Sequence, residues 1–444
     1  MIKKICIIVD HPFRELDYIT LLAFKLLKNV NFEVFLVEQY KKEFINFINP
    51  HLVIFPHARL NMLPLIKICK ERNILISIIE TEGGFIGKLW TGRKKYFKRT
   101  MKIVDLYFCW EKKNYLEIKK FKKNNLIFSG TPKFDFLRPE LSNFYKSKKK
   151  NITFVSNFAL TNPKFNTIEQ KIDEIKYSEF FNRGKRKIAD YMNLEREILN
   201  KFIDLVRKTA MKFKKRKIIL KIHPFENEKT YSKKLKLKNL ILVQNENIVK
   251  TISKSDQLIH YNCQTSFEFY LNKKAPISYS FLLNQKEKEN KLISLEKISI
   301  KPKNLLNFYK FISKKNKIKM NKNIINQYGF NSNVLSSDII VKNILKKLSQ
   351  KKNIVKSTNY YSKRYGYYLL FKGFFLNSMP KKIISVLKHF LKKKQFTDKQ
   401  LNIKEIKHII KKLNYIYPNN QKIHITYPKI FLFLDSNGLI KLSK

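Results

Sequence analysis

The sequence predicts an α/β chain of two Rossmann-like halves facing a cleft, with a mainly helical extension after them. Three observations predict it. Short continuous runs of apolar, often β-branched residues recur through roughly the first 340 of the 444 residues, and the segments between them carry helical spacing. Uninterrupted apolar strands alternating with helices belong to a parallel sheet covered on both faces. The series also starts twice, on either side of a lysine-rich stretch at 146–150, and a chain of this length with 44% hydrophobic residues is long enough for two or three cores.

The first half spans 1–150. Residues 5–9 are a short β-branched run, followed by a helix over 15–28 with Leu16, Ile19, Ala23, Leu26 and Leu27 near one face. Further strands are expected at 32–37, 51–55, 74–79, 106–110 and 126–130, before Thr131-Pro132. The second half spans 151–348. A strand at 152–155 leads into a polar, irregular stretch at 161–187 and a long amphipathic helix at 194–213. Strands follow at 218–222, 239–243, 257–261 and 276–279, with helices at 248–253, 265–271 and 336–348. Two such halves fit the GT-B architecture. Ligands of open α/β sheets sit beyond the carboxyl ends of the strands, so the loops after these strands are where chemistry is expected. Residues 349–444 are rich in Lys and Tyr, with a dense aromatic–aliphatic run at 365–376, and read as a mostly helical extension.

Charge narrows the partners. Ninety-two Lys and Arg stand against 34 Asp and Glu, a net +58. The excess is mostly Lys, spread along the chain, and comes with abundant Ile, Asn, Phe and Tyr and only 10 Gly. AT-rich codon usage produces that pattern whatever the function, so nucleic acid is disfavoured as a partner, while an anionic inner-membrane surface stays open. The apolar start ends at Asp10 with no small-residue cleavage site, so it reads as a strand rather than a signal peptide. No stretch reaches the roughly 18–20 apolar residues of a membrane span. Cys6, Cys69, Cys109 and Cys263 are widely spaced, which indicates neither a disulfide framework nor a zinc site. A reducing, cytoplasmic setting is expected.

Three stretches carry candidate chemistry. Lys221-Ile-His-Pro-Phe-Glu226 ends a strand, and the proline stiffens the backbone that presents His223. There the imidazole can donate to phosphate oxygens, with Lys221 adding charge; the plain alternative is a His–Pro turn that holds nothing. Asn262-Cys-Gln-Thr265-Ser266-Phe-Glu268 passes from strand to helix, and the free N–H groups of such a helix start attract an anion. Thr265 and Ser266 can add hydrogen bonds there. Thr265-x-x-Glu268 is equally a capping box, and Glu268 alternatively meets ribose hydroxyls. Glu80-Thr-Glu82-Gly83-Gly follows a third strand. Carboxylates beside glycines suit a general base for an acceptor hydroxyl, or a nucleophile, and Glu82 is the better placed; the alternative is a solvated turn. Glu80-x-Glu82 and Glu226-x-Glu228 are spaced to hold a cation but nothing clusters with them, no DxD, HExxH, Walker A or GxSxG motif occurs, and metal-independent transfer without a cofactor is expected.

In this order, Arg14-Glu-Leu-Asp17, Glu80-Thr-Glu-Gly83, Gly130-Thr-Pro-Lys-Phe-Asp135, Val155-Ser-Asn-Phe158, Lys221-Ile-His-Pro224 and Thr265-Ser-Phe-Glu268 resemble a bacterial family of surface carbohydrate biosynthesis proteins, with a GT-B fold related to Kdo and sialyl transferases. The resemblance runs through roughly the first 340 residues and leaves the extension uncovered. It implies a nucleotide-sugar donor such as CMP-Kdo or a similar CMP-ulosonic acid, and a glycan or lipid-linked acceptor. It also implies that Glu82, with Glu80, acts on the acceptor and that His223, Thr265 and Ser266 hold the CMP phosphate. Arg14, Asp17, Gly83 and Asn157 then belong to the acceptor or cleft side. Where the family reads acid-Glu-Glu-Gly, Thr81 stands between the two acids here.

Other classes remain. A polyol-phosphate transferase of the CDP-glycerol type or a non-hydrolysing sugar-nucleotide epimerase fits the same architecture, the epimerase drawing on histidines such as His11, His51, His57 and His260. A basic binding protein for nucleic acid needs clustered cations and aromatics, and no acid pair at Glu80 and Glu82.

Overall fold

The computed structural model describes residues 2–29, 32–81, 98–122, 124–145, 147–177, 185–261, 263–288, 293–314, 316, 318–330, 334–351, 400–418, 423–426 and 439–443. Chain organisation starts with β1 (Lys3–Val9), whose Ile5, Cys6, Ile7, Ile8 and Val9 are all at most 2% exposed. A strand buried on both faces cannot alternate, which is why the run reads as continuously apolar. α1 (Pro12–Asn29) follows at once. It starts three residues before the predicted position because Pro12, with its φ preset and no N–H to satisfy, suits a first turn. Then come β2 (Phe32–Glu38), β3 (Leu52–Phe55), α2 (Leu63–Glu71), β4 (Leu75–Ile79), β5 (Leu106–Cys109), α3 (Lys112–Lys119) and β6 (Leu126–Phe128). All six predicted runs of this half are strands. They pair in parallel in the order β2-β1-β3-β4-β5-β6. Strand order reverses between β1 and β3, the mark of a doubly wound sheet.

A second unit, made of the described residues within Phe136–Ile325, has its own sheet. β7 (Asn151–Val155) is central and fully buried. α4 (Ile168–Tyr177) occupies part of the stretch predicted to be irregular. The polar composition hid a helix whose Ile168 and Ile172, four residues apart, pack on Ile188 and Met192. Those two lie on α5 (Lys185–Lys212), which extends the predicted long helix toward its N-terminus. β8 (Ile218–Lys221), α6 (Glu228–Lys234), β9 (Leu240–Val243), α7 (Ile248–Ser253), β10 (Ser255–His260), α8 (Thr265–Leu271), β11 (Ile277–Ser278) and α9 (Leu305–Ser313) complete it. The parallel order is β11-β10-β7-β8-β9, so the winding reverses between β7 and β10. Counted from β7 this is the 3-2-1-4-5 order of a dinucleotide-binding fold. Ile152, Phe154, Phe202, Ile218, Leu220 and Ile259 form the middle of its core.

The chain then adds to the first unit, which comprises the described residues within Met1–Gly84, Lys94–Asp135 and Asn326–Lys444. α10 (Ser336–Ser349) packs on α1, as does α11 (Ile403–Ile416). β12 (His424–Thr426) and β13 (Leu439–Ser443) follow, β13 pairing antiparallel with β2 and β12 with β13. The described part of the predicted helical extension is therefore one helix and two strands of the first unit, not a separate appendage. The aromatic run at 365–376 lies outside the described residues.

Gly130-Thr-Pro-Lys-Phe-Asp135 has a role in this unit. Gly130 has φ +73°, and a Cβ on it would strike the Gly329 backbone and the Ser336 hydroxyl. Five residues on, the Asp135 carboxylate accepts the Ser336 and Ser337 N–H groups, each at 2.9 Å. Those are orphan donors of α10, whose own N-cap, Leu335, has no capping side chain. A remote aspartate caps the helix.

Candidate functional site

In the second unit the segments at the ends of β8 and β10 carry the predicted phosphate-binding residues, and the loop after β7 carries Asn157. His223 stands two residues past β8. Its N–H donates to Ser156 Oγ at 3.1 Å, its carbonyl accepts from Gln244 Nε2 at 3.1 Å, and its Nδ1 accepts the Phe225 N–H at 3.3 Å. With Nδ1 an acceptor, the proton of the neutral ring is assigned to Nε2. The ring is thereby set as an Nε2–H donor. Thr265 and Ser266 open α8, beyond β10, on the other side of the central strand. Two strand spacings, about 10 Å, separate the ends of β8 and β10.

The other predicted residues of this unit differ in access. Thr265 is half-buried, Asn157 exposed, and Ser266 and Glu268 are buried. Ser266 Oγ donates to the Cys263 carbonyl at 2.8 Å. Thr265 is not the N-cap of the expected capping box: Gln264 holds that position without a capping hydrogen bond from its own side chain, and Thr265 is already helical. Lys221 is buried, its ammonium donates to the Gln244 carbonyl at 2.5 Å, and burial lowers its pKa to about 8 against the opposing pull of Glu246 and Cys263. That charge is engaged inside the unit.

Sequence reasoning missed the group that holds these loops. Glu226, fully buried, accepts the Phe158 N–H at 2.7 Å on Oε1 and the Tyr231 hydroxyl on Oε2. Gln244 Nε2 donates to the carbonyls of both His223 and Glu226. The loop after the central strand and the His–Pro turn are thus bound together through Ser156, Glu226 and Gln244. Burial lifts Glu226 to about 7 even though Tyr231 and Phe158 favour its charge. Its carboxyl group is engaged with these donors inside the unit. One signal was visible: an acid three residues after His223, too polar for the buried side of a turn unless it had donors waiting.

The first unit gathers polar groups at the ends of β1, β3 and β4. Glu80 directly follows β4, is 7% exposed, and accepts the Tyr107 hydroxyl at 3.0 Å. Glu82 and Gly83 lie outside the described residues. Arg14 lies in the first turns of α1 with Nη2 3.7 Å from Asp10 Oδ2, and Asp17 is buried further along the same helix. His11 and His57, beyond β1 and β3, are buried. His51 and His260, the other two histidines considered for an epimerase, have hydrogen-bond partners within the fold. His51 Nδ1 accepts the Lys4 N–H at 3.1 Å ahead of β3, and fully buried His260 meets Ser299 Oγ at 2.8 Å. His51 therefore lies ahead of its strand, whereas His260 is the last residue of β10, at its carboxyl end.

No family model matches the chain and no curated protein matches it. Solved structures do. The chain is similar to a UDP-GlcNAc 2-epimerase from Neisseria meningitidis bound to UDP-GlcNAc, with 14% identity and TM-score 0.46 over 78% of this chain and 100% of that one. It is similar to the UDP-GlcNAc 2-epimerase of Methanocaldococcus jannaschii, with 12% identity and TM-score 0.47 over 78% and 100%. A variant of the wall teichoic acid polymerase TagF gives 14% identity and TM-score 0.43 over 78% and 89%. At such identities and scores these likenesses carry neither activity nor ligand across to this chain.

Proposed function

We propose that the chain is a sugar-nucleotide enzyme of the GT-B type, a glycosyltransferase that moves a sugar from a nucleotide donor, a CMP-activated one by the family resemblance, to a glycan or lipid-linked acceptor. The observation that carries this reading is the corner of the second unit at its winding reversal. His223, set as an Nε2–H donor, and the start of α8 flank the central strand where open α/β sheets hold nucleotides. In the reaction an acceptor hydroxyl oxygen attacks the anomeric carbon while the bond from that carbon to the phosphate oxygen breaks. The acceptor proton passes to a carboxylate, Glu82 or Glu80, and the leaving nucleoside phosphate keeps the bonding electrons. His223 Nε2–H donates to the phosphate oxygen on which charge develops, the kind of preorganised stabilisation that dominates such steps.

The test is binding of CMP and UMP by calorimetry to the full-length chain. Wild type is expected to bind one of them, and His223→Ala to weaken it about tenfold or more, the loss of a charge-assisted hydrogen bond of about 1.5–3 kcal/mol. An RNA oligomer serves as the competing ligand. Salt-sensitive binding to the RNA with none to either nucleotide, or nucleotide binding indifferent to His223, would overturn the reading.

A further inference from the structure

Two buried polar atoms of the first unit are used by nothing described so far. Glu15 is 2% exposed; its Oε2 accepts the Asp10 N–H at 2.9 Å, and its Oε1 has no partner among the described residues. Tyr18, one helical turn along α1, is 5% exposed, and its hydroxyl has no partner among them either. Side chains three apart share one face of a helix. Leaving a buried donor or acceptor unmade costs about 1–3 kcal/mol each, and native proteins keep few such groups without a reason. Glu15 is also tied to the end of β1, at the winding reversal of the sheet, through the Asp10 N–H.

We propose that Glu15 Oε1 and the Tyr18 hydroxyl form a binding subsite in the first unit for one hydroxyl oxygen of a neutral polyhydroxy ligand, a sugar or polyol. The chemistry of the surroundings selects that class. Burial first, then Asp10, lifts the Glu15 carboxyl to about 8 against the pull of Arg14 and the backbone of His11 and Asp10. Near neutrality Glu15 is a carboxylic acid, and with Oε2 taking an amide N–H its proton belongs on Oε1. Tyr18 keeps its proton as well, because burial, Glu15, Asp10 and Glu80 all raise it while only Arg14 lowers it. The subsite thus offers two O–H groups, each able to donate and to accept, as a hydroxyl requires. An anion would meet Asp10 and Glu80, and a cation would need Glu15 ionised in a buried site. The inference deepens the transferase reading, on which it rests for calling the ligand the acceptor.

Saturation-transfer NMR on the full-length chain tests it, with methyl glucoside, methyl galactoside, N-acetylglucosamine and glycerol as probes. At least one is expected to bind wild type. Tyr18→Phe and Glu15→Ala should weaken it about tenfold, the value of one hydrogen bond, while Glu15→Gln, which keeps an N–H donor, stays within about threefold. Tyr18→Phe also separates this role from a structural one: removing an unpartnered buried hydroxyl should leave the melting temperature equal or higher. No probe bound by wild type, or equal binding by wild type, Tyr18→Phe and Glu15→Ala, overturns the subsite. CMP and UMP binding is measured on the same samples. Its loss with the sugar effect intact removes only the nucleotide reading, and its survival without the sugar effect removes only the subsite.

Discussion

Among single residues, Glu226 has the largest reach. It is a fully buried acid that ties the loop after the central strand of the second unit to the turn carrying His223. Its pKa rises from 4.5 to about 7 in the fold, with burial the main cause. The folded state therefore holds a proton that the unfolded chain has released between these values. Stability from this group is present at low pH and lost as pH climbs from about 4.5 to 7, by on the order of 3 kcal/mol. Urea unfolding followed at pH 5 and pH 7.5 should show wild type losing stability toward the higher pH, and Glu226→Gln losing less. Equal slopes would mean that the carboxyl stays ionised. The turn that carries His223 was legible in the sequence because Pro after a strand leaves few conformations open. Glu226, Ser156 and Gln244 were not, because what makes them partners is the parallel register of β7, β8 and β9, and no local spacing encodes that register. Glu15 was visible only as an acid in a first turn, where acids are ordinary; its burial is a tertiary fact.

At the scale of elements, apolar runs named every parallel strand of both sheets, since strands covered by helices have a composition few other segments share, but not the antiparallel β12 and β13. The helix at Ile168–Tyr177 was missed because its polar composition hid the face on which Ile168 and Ile172 pack. The segment from Gly130 to Asp135 shows how an element can be completed from elsewhere: α10 has no cap of its own and takes the Asp135 carboxylate. Asp135→Ala leaves two buried N–H groups unmatched and should cost about 2–4 kcal/mol. Gly130→Ala forces an L residue into the left-handed region, about 1–2 kcal/mol before the contact with Gly329 is counted. Asp338→Ala, on the same helix with its half-exposed carboxylate 2.6 Å from the buried Lys25 ammonium, should cost about 1 kcal/mol, less than Asp135→Ala. Chemical denaturation of the three variants gives the ranking. Asp135→Ala as mild as Asp338→Ala would show that α10 caps itself in water.

For the whole molecule, the decisive feature is that the first unit is finished by the last part of the chain. Sequence patterns could not reveal this. Lys-rich, Tyr-rich residues with one amphipathic helix look like an appendage, and antiparallel pairing across some 400 residues leaves no trace in local periodicity. Yet Leu439, Ile440 and Leu442 are fully buried against β2, and Ile406, Ile409, Ile410 and Leu413 are at most 5% exposed on α11. At about 1.5–3 kcal/mol for each buried aliphatic side chain, these seven contribute on the order of 10–20 kcal/mol as an upper estimate. That matches the whole stability of an ordinary domain, about 5–15 kcal/mol. A chain ending at residue 399 should therefore lose the first unit while β7 to β11, with a core of their own, persist. Limited proteolysis read by mass spectrometry would find cuts throughout residues 2–81 in the truncated chain and protection there in the full one, with residues 185–261 protected in both. The side chain of Lys441 pairs with Glu33 at 2.5 Å but is partly exposed, so Lys441→Ala should leave the digestion pattern of the full chain unchanged. Protection of residues 2–81 surviving truncation would mean that the six parallel strands close their core without β13. The C-terminal strands would then be an added edge rather than part of the unit's fold.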